Sequence, residues 1–272
     1  MSAAEQRVPT LIEQLQAGVP QFMLAIRSSR TPDIVRIAAS TGHTCIMVDL
    51  EHSAMPIDTA AQLCAVAGDL GLFSFVRVPE QDTATIGRLL DSGADGIIAP
   101  RVETAEEAER FAAACRFPPR GHRSQLTMVP QLGMRPTPAT VLNAELDRRV
   151  VLKVLIESPT GVQNVKEIAA VDGVDIVGVG ANDLTAELGV PGQYDAPIVR
   201  DALEQIVKAA AEHGKLSMIG GIADLELLGS YVGDQACPLL MTGTDSDLLF
   251  AEATSRRRRF ADWHSSLVGQ KG

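Results

Sequence analysis

Apolar residues in this chain gather in short runs, and longer stretches with helical spacing separate them. Runs at 22–26, 45–48, 73–76, 96–99, 150–156, 174–179, 216–219 and 239–241 are brief, continuous and almost free of charge, and they read as strands. Between them the pattern turns amphipathic. Thr31 can cap a predicted helix with Pro32 at its first position and an apolar stripe at Ile34, Ile37 and Ala38. Residues 57–70 and 83–92 predict helices, the second closing at Gly93. Thr104 and Glu107 form a capping box for a helix ending near Cys115. Further helices are predicted at 197–213, 223–231 and 245–264, and a short one at 11–18. Strand and helix thus alternate eight times, the expected pattern of a parallel (β/α)8 barrel. The whole of 1–272 is expected to form one such domain, with 1–8 and 265–272 loose. A doubly wound open sheet is the competing architecture. It would more often carry a glycine-rich loop after its first strand, and no glycine follows 22–26 here.

One segment departs from the rhythm. Residues 117–137 hold four Pro, two Gly and three Arg before a further short helix. Long irregular segments in compact domains are often functional loops or lids. Arg120 and Arg123 are therefore candidates to grip an anionic ligand or a neighbouring subunit, with plain surface charge as the alternative. Met128 and Met134 are candidates to line an apolar part of a pocket, although ordinary packing is the commoner role.

Composition narrows the partners. Of the residues, 46% are hydrophobic and 21% charged, enough for a sizeable core. A net charge of −10 argues against nucleic acid or an anionic membrane as the main partner. The basic run at 256–259 lies in a helical pattern and reads as a solvated face. With no leader-like segment and no long apolar span, a cytoplasmic location is expected. The four Cys show no CxxC spacing, and three of them sit inside apolar runs as buried thiols.

Candidate chemistry concentrates where strands end. The run at 150–156 leads into Glu157, and that at 174–179 leads into Gly180, Ala181, Asn182 and Asp183. In a parallel barrel both acids lie at the carboxyl ends of neighbouring strands, where such folds place ligands. Paired carboxylates there suit a hard divalent cation that keeps positions open for substrate oxygens. The second strand leads into Asp49, Glu51 and His52, and the third into Arg77. Arg77 suits a substrate carboxylate, which its planar fork can bind twice. Imidazole side chains in general change charge near neutral pH, which makes His52 the candidate base, with Asp49 three residues before it able to orient it directly or through water. Lys153, the one lysine within a predicted strand, shares the parity of Leu155 and Glu157, so a Schiff-base mechanism is a lesser possibility. No HExxH, GxSxG or P-loop motif occurs. A cation site, an Arg and a His base together favour enolate chemistry on a 2-oxo acid.

Six segments carry a family resemblance: VDLEHS (48–53), VRVP (76–79), GADGIIAPRVETAEEAE (93–109), PPRGHRS (118–124), IESPTGVQNVKEI (156–168) and GVGANDLTAELG (178–189). Over roughly 22–256 the chain resembles the metal-dependent class II pyruvate aldolases of the HpcH/HpaI group. The resemblance implies a (β/α)8 barrel whose C-terminal helix is often exchanged between subunits, in a homo-oligomer that is a trimer of dimers or a trimer. It implies Mg2+, Mn2+ or Co2+ on Glu157 and Asp183, and substrate contacts at Arg77, Ala181 and Asn182. It makes His52 the base and Asp49 its orienting acid. The implied reaction cleaves a 4-hydroxy-2-oxo acid to pyruvate, or a close 2-oxo acid, plus an aldehyde. A malyl-thioester lyase of the citrate-lyase type and a non-catalytic oxo-acid-binding barrel are the alternatives. One position departs from the group. Its members commonly have Gln two residues before the metal-binding Glu, in contact with the oxo acid, and here Leu155 stands there.

Overall fold

A computed structural model describes residues 9–79, 83–232 and 237–269. The eight strands are β1 (Gln21–Ile26), β2 (Cys45–Asp49), β3 (Phe73–Arg77), β4 (Gly96–Ala99), β5 (Val151–Ile156), β6 (Ile176–Gly180), β7 (Leu216–Gly220) and β8 (Leu239–Thr244). They form one parallel sheet in the order β7-β6-β5-β4-β3-β2-β1-β8, a nearly closed barrel. After a first short helix, α1 (Leu11–Gln16), the helices between the strands are α2 (Asp33–Ser40), α3 (Ile57–Asp69), α4 (Thr83–Asp91), α5 (Ala105–Cys115), α6 (Ala139–Arg149), α7 (Pro159–Gln163), α8 (Val165–Ala170), α9 (Ala181–Glu187), α10 (Pro197–Glu212) and α11 (Leu225–Val232). α12 (Asp245–Gly269) ends the chain. The expectation of loose ends at 1–8 and 270–272 lies outside the described residues, whereas 265–269 continue α12.

The strand sequences explain the two cores. Every residue of β5 is buried, as a strand covered on both faces requires. Its even-numbered residues Leu152, Val154 and Ile156 join Ile46, Val76, Ile97 and Val177 beneath the helices. The odd-numbered set points into the barrel. There Val151 and Leu155 meet Met23, Met47, Phe75, Ile98, Ile176 and Met218. The bottom of this inner core is plugged by Leu11 and Leu15 from α1 (Leu11–Gln16), which Thr10 and Glu13 start with a reciprocal capping box.

One element was not anticipated from the sequence, and one expectation needs correction. Residues 181–187 form helix α9 directly after β6. The segment 117–137 is not a lid over the strand ends that carry the candidate site. It connects α5 to α6 on the opposite, amino-terminal face of the barrel. Arg123 is buried against Asp91 at the end of α4 (2.8 Å) and stacks on Phe117 with its guanidinium 4.8 Å from the ring centroid. Gln131 donates to the carbonyls of Leu90 (2.8 Å) and Ala94 (3.4 Å). Phe117, Val129, Leu142 and Leu146 give the segment its own small core. Arg123 therefore staples the barrel floor, and Met128 and Met134 lie on that face, exposed and away from the candidate site.

Candidate active site

The carboxyl ends of the strands converge on one pocket, lined among others by Arg27, His52, Arg77, Glu157 and Asp183. Asp49 sits beneath its wall, fully buried at the end of β2. Its Oδ1 accepts Arg77 Nε and the backbone amides of Glu51 and His52, each at 3.1 Å. Its Oδ2 accepts Arg77 Nη2 at 2.6 Å and Arg27 Nε at 3.0 Å. Burial alone would raise this acid, but the Arg77 guanidinium, the His52 amide and Arg27 hold it below the usual carboxylate range. Asp49 thus reaches His52 through the backbone and not through the ring. The imidazole, half exposed, has Glu51 Oε2 3.8 Å from its Nε2.

Glu51 is the least settled acid of the group. Arg77 Nη1 approaches its Oε2 at 2.9 Å, yet at an angle that leaves this buried oxygen without a hydrogen bond. Burial raises its pKa; Arg77 and His52 oppose the rise, while Asp49 and Asp183 add to it.

Glu157 follows β5 and is 2% exposed. Arg101 turns its backbone into the left-handed region (φ 49°) and donates its amide to Glu157 Oε2 at 2.9 Å. The other oxygen lies over Gly180, where a β-carbon would come within 2.0 Å of it. Only glycine at this position leaves room for the carboxylate. Burial pushes Glu157 up to about 7; the Arg101 amide works against this, and the nearby Glu51 and Asp183 carboxylates reinforce it. Arg77 also lowers it, and a cation held at this carboxylate would favour its charged form further.

Asp183 lies in the first turn of α9 and also lines the pocket. Among the described residues no cluster of three or more His, Cys, Asp or Glu side chains is arranged to hold a metal. The residues able to hold one are the pair Glu157 and Asp183. Such a two-carboxylate set is what Mg2+-like ions use when water and substrate complete the shell. The hydrogen-bond-free Oε2 of Glu51 and the raised Glu157 both fit that assignment.

The floor of the pocket is apolar, formed by Met23, Met47, Ile98, Leu155 and Met218, with one exception, Lys153. Asn182, at the start of α9, accepts a short hydrogen bond from Tyr194 Oη through its side chain. Its backbone carbonyl accepts Thr185 Oγ1 at 2.9 Å.

Of the strand-end residues singled out from the sequence, His52, Arg77, Lys153, Leu155, Glu157, Ala181, Asn182 and Asp183 line one pocket, and Asp49 lies beneath its wall. Arg27 and Arg101 were missed as contributors, and Glu51 was read only as a polar group at the end of the second strand. Arg27 directly follows β1 and was open to the same strand-end reasoning. The roles of Glu51 and the Arg101 amide depend on tertiary approach that no spacing reveals.

Comparison with known proteins follows this geometry. Residues 21–233 match the family described as HpcH/HpaI aldolase/citrate lyase. The chain is 36% identical over 230 residues to a 4-hydroxy-4-methyl-2-oxoglutarate aldolase of Hapsidospora irregularis, covering 83% of this chain and 85% of that protein. It is 38% identical over 226 residues to a 5-keto-4-deoxy-D-glucarate aldolase of Shigella boydii, covering 83% and 86%. The crystal structure of an HpcH/HpaI aldolase from Desulfitobacterium hafniense DCB-2 superposes with a TM-score of 0.84 at 30% identity, over 92% of this chain and 96% of that one.

Proposed function

Since the chain belongs to the HpcH/HpaI aldolase/citrate lyase family, we propose that it is a divalent-metal-dependent carbon–carbon lyase. It cleaves a 4-hydroxy-2-oxo acid to pyruvate, or a close 2-oxo acid, and an aldehyde. The observation that carries this reading is the convergence of Glu157 and Asp183 on a pocket that also holds Arg77 and His52.

In this reading Glu157 and Asp183 hold the metal. Bound there, the ion supplies Lewis-acid polarisation of the 2-oxo group. Arg77 binds the substrate's anionic oxygens. Asp49 takes its Nε and Nη2, and Glu51 faces its Nη1. A guanidinium has five N–H donors, so hydrogens on Nη1 and Nη2 remain for substrate. Locked by Asp49 beneath it, the fork is pre-organised for the charge that develops as the carbon–carbon bond breaks. Ala181 and Asn182 open α9, and their amides belong to the first turn, whose N–H groups lack intrahelical partners. These amides are assigned to the substrate carboxylate.

His52 is the base. Its ring lines the pocket and is open to water. It takes the proton of the 4-hydroxyl in cleavage, directly or through a water, and returns a proton to the three-carbon product. Asp49 and Glu51 are positioning residues for this group, Asp49 through the His52 amide and Glu51 beside the ring.

The exposed apolar side chains of α12, Leu249, Phe250, Phe260 and Trp263, are assigned to contact with further copies of the chain. The working molecule is then a homo-oligomer in which this helix packs on a neighbour.

The test is a cleavage assay on a panel of 4-hydroxy-2-oxo acids, with release of the 2-oxo acid followed over time. Turnover restored by Mg2+, Mn2+ or Co2+ after chelation is expected. Turnover that survives full chelation would exclude the metal-dependent reading.

A further inference from the structure

Lys153 is an unusual occupant of a barrel interior. It lies in β5 on the inward parity, four residues before Glu157, and is 5% exposed. Its aliphatic chain fits only because β6 carries no side chain opposite: a β-carbon on Gly178 would fall 2.5 Å from Lys153 Cε. The ammonium ends 2.9 Å from the Met218 sulfur, a weak acceptor, at the floor of the pocket. Among the described residues no carboxylate lies within ion-pairing distance of it. An amine so placed is an uncompensated buried cation, a costly arrangement. Burial accordingly pushes Lys153 down to about 8. The rest of the floor is thioether and hydrocarbon, and Leu155, between Lys153 and Glu157 on the same strand face, donates nothing.

We propose that Lys153 is the hydrogen-bond donor on the floor of the substrate site, and that its ammonium binds an anionic oxygen of the 2-oxo acid from below. The counter-ion missing in the protein is then the substrate itself. Arg77 at the wall and Lys153 at the floor enclose the oxo acid between two cations, while Leu155 and the methionines pack against its carbon atoms. Lys153 is in this view a substrate-binding residue, and the position of the donor is shifted one inward-facing residue deeper than Leu155. The proposal rests on the reading of function given above.

The experiment compares wild type with Lys153→Met and Lys153→Gln, using oxalate, a planar dianion shaped like the enolate of pyruvate, as the probe. Calorimetry gives the affinity for Mn2+ alone and then for oxalate on the Mn2+-loaded protein; thermal unfolding of the metal-free proteins gives Tm. The expected result is an oxalate Kd weakened at least tenfold in Lys153→Met and less in Lys153→Gln, unchanged Mn2+ affinity, and a higher Tm in Lys153→Met. The rise in Tm follows because a methionine removes a buried charge without loss of packing. A lower Tm in both variants would make Lys153 structural and overturn the proposal, as would oxalate affinity within twofold of wild type. A borohydride-trapped pyruvate adduct on Lys153 would also overturn it, since the contact would then be covalent. Wild-type protein that binds no oxalate with Mg2+, Mn2+ or Co2+ would defeat the reading of function as well, which separates the two failures.

Discussion

Gly180 shows how one missing side chain shapes the site. Its α-carbon is overlaid by the Glu157 carboxylate, and a methyl group there would meet Oε1 at 2.0 Å. Gly180→Ala must therefore expel the carboxylate or distort β6. The expected outcome is a loss of Mn2+ affinity of at least tenfold, about 1.4 kcal/mol, measured by calorimetry, with the fold retained by circular dichroism. Unchanged Mn2+ affinity would mean that Glu157 does not hold the metal in this position. At this scale the sequence was legible close to the end of a predicted strand. Glu157 and Arg77 directly follow one, His52 and Asp183 stand four residues beyond one, and all four line the pocket. Asp49 was also found, but its carboxylate turns to Arg77 and Arg27, and only the backbone of His52 comes within its reach. Which of several neighbours an acid engages is decided by tertiary approach of a few ångströms, which spacing along a chain does not encode.

Among the elements, the join between β8 and α12 holds the first strand end in place. Asp245 accepts the amides of Arg27 (3.0 Å), Ser28 (3.1 Å) and Ser29 (2.6 Å), so a carboxylate at the start of the last helix fixes the loop after β1. Burial would raise Asp245, but these amides bring it below the usual range. A depressed acid stabilises the fold above the unfolded value near pH 4, and that contribution is lost as pH falls through the lower folded value. Asp245→Ala is expected to cost about 2 kcal/mol at neutral pH, roughly 5 °C in Tm for a chain of this size. The difference from wild type should shrink in acid below pH 4. A Tm penalty that stays constant down to pH 2 would contradict the charge-assisted contact. The strands and long helices were readable because runs of buried apolar residues and helical stripes are local signals. Helix α9 was not, because its seven residues present only Ala181, Leu184 and Thr185 to the core, too few for a period to emerge. The segment 117–137 misled in another way. Its Pro and Arg content marks irregular backbone and charge, but the face of the barrel it serves follows from helix direction.

On the scale of the whole molecule, eight alternations of strand and helix were enough to specify a barrel, and hence a single face on which strand-end residues meet. What the chain does with its outer surface is less local. α12 runs from Asp245 to Gly269 and leaves Leu249 (72%), Phe250 (74%), Phe260 (67%) and Trp263 (59%) exposed. Apolar area of that kind on one helix suits contact with other copies of the chain. Light scattering is expected to give a multiple of the 28.9 kDa chain mass, and Phe260→Asp with Trp263→Glu should lower it; a wild-type monomer would remove the assigned role of α12. The most direct test of the function itself needs no aldehyde. Pyruvate is incubated in deuterated water with the protein and Mg2+, Mn2+ or Co2+, and loss of the methyl proton signal is followed by NMR. Exchange that requires metal and disappears in both Glu157→Ala and His52→Ala is the predicted result. Exchange that persists in either variant, or that proceeds under chelation, would contradict the assignment of metal and base to these residues.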